Sequence, residues 1–492
     1  EKFISGVIAN GVSSGTAEKI WHFIEPFARY GFNRCLTGDT AILNPKSGNI
    51  ITLKELYEKK KRMTAAVSIE DNLKLKNYPI ADVIYNGKKP VYLVITKSGR
   101  KIKTTSNHPF LTSSGWKKLE DIILGEKIAV PRVLPEPQKP INIPYYKLGL
   151  LGYLLAEGNL CHPSSFYFYS KSAEEIRDYL RFLELFKNTS GKIDKSKTAV
   201  AVYAKRLNPK IPSEAVKWIE SLGLKYKKAK EKFFPDFVYQ LKNEDLALLI
   251  GKMFQGDGCI SIKRQDPQIF YATSSAFLAR GLQHLLLRFG IISTIHNKKF
   301  KYRDGIKTGY TVTIGRYDNI KKFLDAFAKH FIGKKALFAK KIIKSHPIIN
   351  GKLNPWAARG SYDIIPSNLV RPILTKIIQM RRLNIARLAR ETGLAERLFF
   401  NDKRKSGYLR ETIGVIANHT KNKNLNDLAE SDIFWDEIIN IKPVGIDDTY
   451  DLTIPKTHNF VANDIIVHNS HAACYALLSY QTAYLKVKYP AE

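Results

Sequence analysis

The two ends of the chain carry apolar residues at helical spacing. Residues 20–27 place isoleucine and phenylalanine every three to four positions within the first 34 residues, which predicts an amphipathic helix. The last 23 residues begin at Ser470 and predict another helix with one apolar stripe. When the middle is removed, the ends join as FARYGFNR-SHAACYALLSYQTAYLKVKYPAE, and Ser470 becomes a natural N-cap. The two flanks therefore make better sense together than apart.

Two β-rich stretches frame the middle of the chain. From residue 36 to about 130, short β-rich runs alternate with turn residues, and residues 90–96 and 100–104, separated by Lys-Ser-Gly, predict a hairpin. A second β-rich stretch covers residues 449–467. Although they are far apart in sequence, we expect these pieces to build one small sheet domain.

The segment inserted between them contains an internal repeat. It follows residues 131–144, whose five prolines are typical of a linker. Residues 148–158 and 246–258 each predict an apolar helix with small residues inside, ending in a carboxylate followed by glycine. The two carboxylates, Glu157 and Asp257, are 100 positions apart. We interpret this as a duplication with one acid in each half.

A basic segment from about residue 369 to 429 is predicted to be helical. Residues 385–394 have the alanine, glycine and apolar spacing of a helix-turn-helix motif. Many small helical bundles share this pattern, so two interpretations stay open: the segment either adds DNA contacts or only fills space.

The charge of the chain indicates a polyanionic partner. Lys and Arg total 79 against 45 acidic residues, a formal net charge of +34, which far exceeds what solubility requires. The general basicity of a thermophilic or ribosome-associated protein is the alternative. The four cysteines contain no C-x-x-C pair, which argues against a zinc site or a disulfide framework and fits a reducing cytoplasm. Without a signal peptide or an apolar run near 18 residues, membrane insertion is not expected.

Reactive residues lie where the middle of the chain meets the flanks. Cys35 opens the middle segment and the run His468-Asn469-Ser470 closes it, and these are the groups needed to cut two peptide bonds and make a third. Each step is an acyl transfer or a cyclisation, which needs a nucleophile held next to one carbonyl. Taken singly, such residues are ordinary, since a lone cysteine is usually a buried small hydrophobe. Their order, with flanks that rejoin, predicts that the chain is its own substrate.

Four blocks of the sequence resemble inteins of the Hint type. The blocks are Cys35-Leu36-Thr37-Gly38-Asp39-Thr40, Thr105-Ser106-Asn107-His108, Tyr450-Asp451-Leu452-Thr453 with His458-Asn459-Phe460, and His468-Asn469-Ser470. The resemblance implies that Cys35 attacks the Arg34 carbonyl and converts the amide into a thioester. It also implies that Thr105 and His108 polarise or strain this amide, with His108 protonating the leaving nitrogen.

The same resemblance assigns the residues of the second junction. Asp451 is expected to lie between the two junctions and tune the cysteine, while His458 assists proton transfer near the second one. Ser470 would take the acyl group, and Asn469 would then cyclise onto its own carbonyl with His468 as its helper. The expected products are the joined flanks and a free intein of 435 residues.

The repeated helices resemble the two motifs of single-chain LAGLIDADG (DOD-type) homing endonucleases. The resemblance implies that the helices pack through their small residues Gly152, Ala156, Gly251 and Gly256. Glu157 and Asp257 would then meet at one centre and hold Mg²⁺ for the hydrolysis of double-stranded DNA. A carboxylate at a helix C-terminus opposes the helix dipole, so this placement needs a compensating cation. Family members often use a lysine there.

The remaining expectations concern DNA contacts and activity. Basic residues on the strands that follow the second motif are candidates for a DNA-facing surface, namely Lys263, Arg264, Lys307 and Arg316. Decay of the nuclease to a domain that binds DNA without cutting it is the alternative. A DNA-binding scaffold without covalent chemistry is a further alternative. A polymerase is excluded, because the flanks are too short to hold its active site.

The joined flanks resemble the alpha subunit of bacterial DNA polymerase III, which implies a bacterial, cytoplasmic and nucleoid-associated protein. The expected fold is mixed α+β, with a β-rich Hint domain built from both intein ends, an inserted two-repeat αββαββα LAGLIDADG domain and a small helical region. The predicted segments are 1–34 (N-terminal flank), 35–135 (Hint, first part), 145–335 (endonuclease), 365–430 (helical), 431–469 (Hint, second part) and 470–492 (C-terminal flank). The chain is expected to be monomeric.

Overall fold

The computed structural model describes most of the 492 residues. The described residues are 2–9, 11–30, 34–58, 64–195, 200–263, 266–302, 305–344, 348–349, 352–353, 363–400, 406–469, 481 and 484. Two helices form the N-terminal flank, α1 (Lys2–Ala9) and α2 (Ser14–Tyr30), so the predicted helix is confirmed. Ser470 and nearly all of the C-terminal flank predicted to be helical lie outside the described residues.

The first part of the β-rich domain alternates short strands and turns, as predicted. Its elements are β1 (Leu36–Thr37), β2 (Ala41–Leu43), β3 (Ile50–Thr52), α3 (Leu53–Glu58), β4 (Ala65–Ile69), β5 (Leu75–Pro79), β6 (Asp82–Thr96), β7 (Lys101–Thr104), β8 (Pro109–Thr112), β9 (Gly115–Lys118) and β10 (Lys127–Pro131). Strands β6 and β7 pair antiparallel across the predicted Lys-Ser-Gly turn. The alternation of buried and exposed positions along these strands leaves one face on the core.

The inserted segment has the same order of elements twice: helix, two strands, helix, two strands, helix. The first half contains α4 (Tyr145–Glu157), β11 (Gly158–Asn159), β12 (Tyr167–Ser170), α5 (Ala173–Leu183), β13 (Thr189–Asp194), β14 (Val200–Arg206) and α6 (Glu214–Ser221). The second contains α7 (Asn243–Gly256), β15 (Gly258–Lys263), β16 (Asp266–Thr273), α8 (Ala276–Leu287), β17 (Thr294–Tyr302), β18 (Gly305–Ile314) and α9 (Tyr317–Phe327). Two four-stranded antiparallel sheets result, in the orders β11-β12-β14-β13 and β15-β16-β18-β17.

One apolar core joins the two halves and extends beyond residue 335. The helix α10 (Gly333–Lys344) follows, and its Ala339 and Ile342 are buried in this core. The proline-rich segment before α4 is packed, because the Leu134 amide donates to Leu287 at 3.0 Å and the Lys139 amide to Lys46 at 2.9 Å. It connects the sheet domain to the insertion, as its composition predicts, and these hydrogen bonds tie it to both.

The next segment forms a separate, mainly helical core. It contains β19 (Ile348–Ile349), β20 (Lys352–Leu353), β21 (Ile364–Pro366), α11 (Ser367–Met380), α12 (Ile385–Thr392), β22 (Gly407–Leu409), α13 (Arg410–Thr420) and α14 (Lys423–Glu430). Helix α12 ends at Gly393 with φ 68°, as the glycine predicts. Only a 3₁₀ turn, Glu396–Leu398, follows within residues 394–400. No second α-helix begins within residues 394–400, and the helix-turn-helix interpretation of residues 385–394 stays a prediction.

The last strands complete the first sheet. They are β23 (Ile433–Thr453), β24 (Asn459–Ala462) and β25 (Ile465–His468). The strand order is β1-β7-β6-β23-β10-β8-β25-β24-β2-β3, with β9 on β8. Strands from the two ends of the middle segment thus alternate in one sheet, and the predicted assembly of the two β-rich stretches is confirmed. None of the described helices is long and apolar enough to cross a membrane.

Candidate functional site

Strand pairing places Cys35 next to the Thr105 turn and β23. Leu36 pairs with both Thr104 and Tyr450. The Cys35 amide donates to Thr105 Oγ1 at 3.1 Å, and the Thr105 amide donates back to the Cys35 carbonyl at 3.1 Å. Thr105 therefore binds both the backbone N–H and the backbone carbonyl of Cys35. The nitrogen it binds belongs to the Arg34–Cys35 amide.

The Cys35 thiol is buried and has charged neighbours. Burial raises the pKa of the Cys35 thiol, the Lys89 ammonium lowers it, and the Asp451 carboxylate raises it. Lys89 Nζ donates to Cys35 Sγ at 3.5 Å, and the Thr449 hydroxyl also lowers the thiol pKa through a hydrogen bond. Asp451 is buried on β23, paired with Ile84 of β6.

His108 lies in the interior against the same junction. Burial lowers the pKa of His108 from its usual 6.5 to about 3; the Arg34 backbone acts to raise this pKa, while the charges of His468 and Arg34 act to lower it further. Neither ring nitrogen makes a contact of full hydrogen-bond geometry with the described residues, so the interaction with Arg34 is a weak one. The imidazole is therefore neutral at pH 7.

Asn469 is fixed at the other junction by main-chain carbonyls. Its amide N–H donates to the His458 carbonyl at 2.9 Å, and its side-chain Nδ2 donates to the Ile454 carbonyl at 3.2 Å. The buried Oδ1 has no hydrogen-bond partner among the described residues. His458 adopts φ 55°, a conformation that is uncommon for a residue with a side chain. The hairpin β24–β25 places Asn459 opposite His468.

His468 faces the carbonyl group that follows it. Its Nδ1 lies 2.5 Å from the Asn469 carbonyl oxygen, and because a carbonyl can only accept, Nδ1 carries the proton. The Trp116 ring packs edge-on against the imidazole, with centroids 4.8 Å apart and an interplanar angle of 87°. The ring contact limits how far the imidazole can turn away from this carbonyl.

A second centre forms where α4 and α7 end. A Cβ added at Gly152 would lie 2.6 Å from the Leu249 carbonyl oxygen, and one at Gly256 would lie 2.6 Å from Ala156 Cβ. These two glycines permit the close approach expected from the small residues. Gly251 differs, because a Cβ there would meet His330 at 2.6 Å and not α4. Its expected role between the two helices is wrong.

The close approach brings Glu157 and Asp257 together. Burial, repulsion by the Asp257 carboxylate and a hydrogen bond with Asp257 together raise the pKa of Glu157 to about 7. Two carboxylates that share a proton in this way have the charge and the oxygen ligands suited to a divalent cation. The described residues contain no cluster of three or more His, Cys, Asp and Glu able to hold a metal. Any further ligands would have to be main-chain, water or substrate oxygens.

Two lysines cap the ends of these helices. Lys232 Nζ donates to the carbonyls of Leu154, Leu155 and Ala156 at 2.8, 3.1 and 2.9 Å. In the second half, Lys335 Nζ binds the last three carbonyls of α7, those of Phe254, Gln255 and Gly256, at 2.9, 2.5 and 2.8 Å. Burial lowers the pKa of Lys232 to about 8 and also lowers the pKa of Lys335, while both carboxylates act to raise them. These are the cations that carboxylates at helix C-termini require.

The family model of the intein splicing domain matches residues 42–469. The chain belongs to the intein splicing domain family. A relative, the replicative DNA helicase DnaB of Synechocystis sp., is 31% identical over 450 residues, covering 89% of this chain and 49% of that protein. The intein-containing chain spans about half the length of the curated relatives it matches.

Two solved structures are also similar to parts of this intein. A DnaB intein from Synechocystis sp. PCC 6803 is 37% identical, with 20% of this chain and 69% of that chain covered and a TM-score of 0.19. The N-terminal LAGLIDADG domain of DUF199/WhiA is 13% identical, with 41% and 90% covered and a TM-score of 0.25.

The fold of the intein brings most of the candidate residues into two centres, a splicing centre that contains both junctions and a second centre at the ends of α4 and α7. Cys35, Thr105, His108 and Asp451 meet at the first junction, His458, His468 and Asn469 at the second, and Glu157 and Asp257 at the helix ends. Ser470 and Arg264 lie outside the described residues. Lys263 and Lys307 are exposed on strands, and Arg316 lies at the start of α9 with φ 70°.

Sequence analysis missed four residues at these centres, namely Lys89, Trp116, Lys232 and Lys335. Lys232 follows Glu157 by 75 positions and Lys335 follows Asp257 by 78. This near-equal spacing within the duplication is the signal that could have found the two lysines. Nothing comparable marks Lys89 or Trp116.

Proposed function

We propose that the chain excises residues 35–469 from itself and joins Arg34 to Ser470. The observation that carries this proposal is the confinement of both scissile junctions within one sheet. The charge of His468 acts on His108, so groups of the first and second junctions lie within electrostatic reach of each other. Acyl transfer between the junctions requires such proximity.

The first step would be attack by Cys35 Sγ on the Arg34 carbonyl carbon. The bond from this carbon to the Cys35 nitrogen then breaks, and the nitrogen stays on Cys35 as an amine. Thr105 accepts the hydrogen of this nitrogen at 3.1 Å and so fixes the scissile amide. Neutral His108 can accept a proton as the tetrahedral intermediate forms and return it to the leaving nitrogen. A neutral imidazole suits this relay, because protonated histidine could not accept the proton.

The later steps would use Ser470 and Asn469. The Ser470 hydroxyl attacks the thioester, releases the cysteine thiol and leaves an ester. Asn469 Nδ2 then attacks the Asn469 carbonyl carbon and breaks the bond to Ser470, and His468 polarises that carbonyl through Nδ1–H. The freed Ser470 amine displaces the ester oxygen and makes the new peptide bond. Asp451 and His458 are assigned to tuning the cysteine and assisting proton transfer.

Intact mass spectrometry of the expressed chain tests splicing. Wild type is expected to yield the joined flanks and a free intein, about one water lighter while the terminal succinimide persists. Cys35→Ala combined with Asn469→Ala is the matched control and is expected to stay at full length. If wild type also stays at full length across temperature and reductant, this chain does not splice.

We also propose that the inserted domain is a LAGLIDADG homing endonuclease that cuts double-stranded DNA. The paired carboxylates at the ends of two tightly packed helices carry this proposal, together with one lysine behind each. Glu157 and Asp257 would hold Mg²⁺, which when bound would stabilise charge on the phosphate and activate water. Lys232 binds the last carbonyls of α4 and Lys335 those of α7, and their charges would offset the repulsion between the two carboxylates.

Cleavage of the uninterrupted host sequence tests the nuclease. From the sequence of the flanks, we propose that the host protein is the alpha subunit of bacterial DNA polymerase III. We further propose that the chain acts as a monomer in the cytoplasm, near the nucleoid. A plasmid carrying the joined coding sequence is expected to be linearised by wild type with Mg²⁺ and left intact by Asp257→Asn. Retarded but uncut DNA with wild type would instead identify a domain that only binds DNA.

A further inference from the structure

The surroundings of Cys35 disfavour the thiolate that the first step needs. The sulfur must become nucleophilic inside a buried pocket, where desolvation disfavours the thiolate. The neighbouring Asp451 carboxylate adds repulsion. Burial and Asp451 therefore both oppose the reaction that the site is built to perform, and an opposing positive charge is required.

Lys89 is positioned to supply that charge. It lies on β6, and its Nζ donates to Cys35 Sγ at 3.5 Å. The strand is fixed here because the Thr449 hydroxyl of β23 donates to the Gly87 carbonyl at 2.7 Å, while Thr449 pairs with Thr37, two residues after the cysteine. The ammonium is thus held by the same strands that hold the sulfur.

The neighbouring Lys88 provides an internal comparison. Successive side chains of a strand point to opposite faces, so Lys88 is directed away from the face that carries Lys89. Lys88 is exposed and Lys89 is half-buried. Both carry the same charge one position apart, and the Lys89 charge is the largest one acting on the thiol.

We propose that Lys89 is a catalytic residue of the first splicing step, whose ammonium stabilises Cys35 as the thiolate that attacks Arg34. This inference rests on the proposed splicing function. The Sγ–carbon bond forms, the Arg34–Cys35 carbon–nitrogen bond breaks, and its electron pair goes to the Cys35 nitrogen. The proton lost by the thiol ends on that nitrogen, and Lys89 keeps its own protons throughout.

The test isolates thioester formation. In a parent chain carrying Asn469→Ala and Ser470→Ala, only the first step can occur, and dithiothreitol then releases residues 1–34 at a rate measured against pH. Lys89→Met is expected to slow release at pH 7 about tenfold and to move the pH profile about one unit upward, the lower end of the effect of an adjacent opposite charge because Lys89 is partly solvated. Lys89→Arg should restore most of the rate, and Lys88→Met should match the parent.

The outcomes separate this inference from splicing itself. An unchanged profile for Lys89→Met, or an equal change for Lys88→Met, overturns the role of Lys89 while the parent still releases its flank. A parent that releases nothing refutes the proposed function instead. Folding is checked by Asn469-dependent cleavage in a Cys35→Ala, Lys89→Met chain, which should persist. If that cleavage is lost, Lys89→Gln replaces Lys89→Met and must show the same upward shift.

Discussion

Replacing Gly152 by alanine tests the close approach of α4 and α7. The new methyl carbon would lie 2.6 Å from the Leu249 carbonyl oxygen and 2.8 Å from Lys252 Cβ. Carbon atoms pack best at about 3.5–4.0 Å, so the helices must separate by on the order of 1 Å. Overpacking of this kind costs about 1–3 kcal/mol, and alanine recovers up to about 1 kcal/mol of helix propensity. Because the shortest contact is with a backbone oxygen, which cannot move like a flexible side chain, the cost lies in the upper part of this range, and we expect a net loss of about 1–2 kcal/mol.

Hydrogen exchange of peptides from α4 and α7 measures this loss in a chain made splicing-inactive by Cys35→Ala and Asn469→Ala. Gly414→Ala in α13 is the matched control, because the added Cβ would lie 3.9 Å from Ala429 Cβ, an ordinary contact. It should stabilise its helix by about 0.5–1 kcal/mol. Equal or slower exchange in α4 of Gly152→Ala would refute the packing argument. DNA cleavage should fall with the loss of packing, because the carboxylates at both helix ends would separate.

Three further predictions concern His108, Trp116 and Lys252. The ring nitrogens of His108 should report a neutral imidazole by NMR down to about pH 4, because the pKa of His108 in the folded chain is lowered from 6.5 to about 3. The free energy of unfolding that this group contributes is therefore complete above pH 6.5 and falls as the pH drops towards 3. Trp116→Leu should slow Asn469-dependent cleavage several-fold in a Cys35→Ala chain, without changing dithiothreitol-induced release in an Asn469→Ala chain. Lys252→Met removes the ammonium 2.7 Å from the buried Asp178, which keeps Arg181 at 2.9 Å and the Tyr153 hydroxyl at 2.8 Å. Thermal unfolding should therefore show a loss smaller than the about 3–5 kcal/mol of a buried charge left without any partner, and adding Asp178→Asn should partly restore it.

Sequence analysis found the residues whose positions follow from the proposed splicing and cleavage reactions. Cys35 and Asn469 must flank the bonds to be cut, so their places follow from the boundaries of the middle segment. Glu157 and Asp257 end two similar helices, and the duplication marks them without reference to the fold. The strand pairing was predictable for a different reason. Alternation along the β-rich stretches leaves one apolar face, which the two pieces must bury together.

The residues that were missed act through contacts made only on folding. Lys89 is 54 positions from Cys35, and a half-buried lysine cannot be distinguished by pattern in a chain with 79 Lys and Arg residues. Trp116 lies on β9 and reaches His468 across β8, which pairs with both β9 and β25. Gly251 was misplaced because small residues at helical spacing do not show which neighbour they admit. Here it is His330, in the 3₁₀ turn that follows α9.

The two centres hold their lysines in different ways. This difference predicts how well each centre tolerates changes in sequence. At the proposed nuclease centre, Lys232 and Lys335 are held by three main-chain carbonyls each, so their positions depend on helix ends and not on side-chain partners. At the splicing centre, Lys89 is a flexible side chain whose contact with the cysteine depends on the register of β6 against β23. That pairing contains register shifts between Pro443 and Ile446 and between Asp448 and Tyr450, on both sides of Lys89. Insertions or deletions in this part of β23 should therefore disturb thioester formation before they disturb the sheet, whereas the nuclease lysines should tolerate any change that keeps the two helices packed.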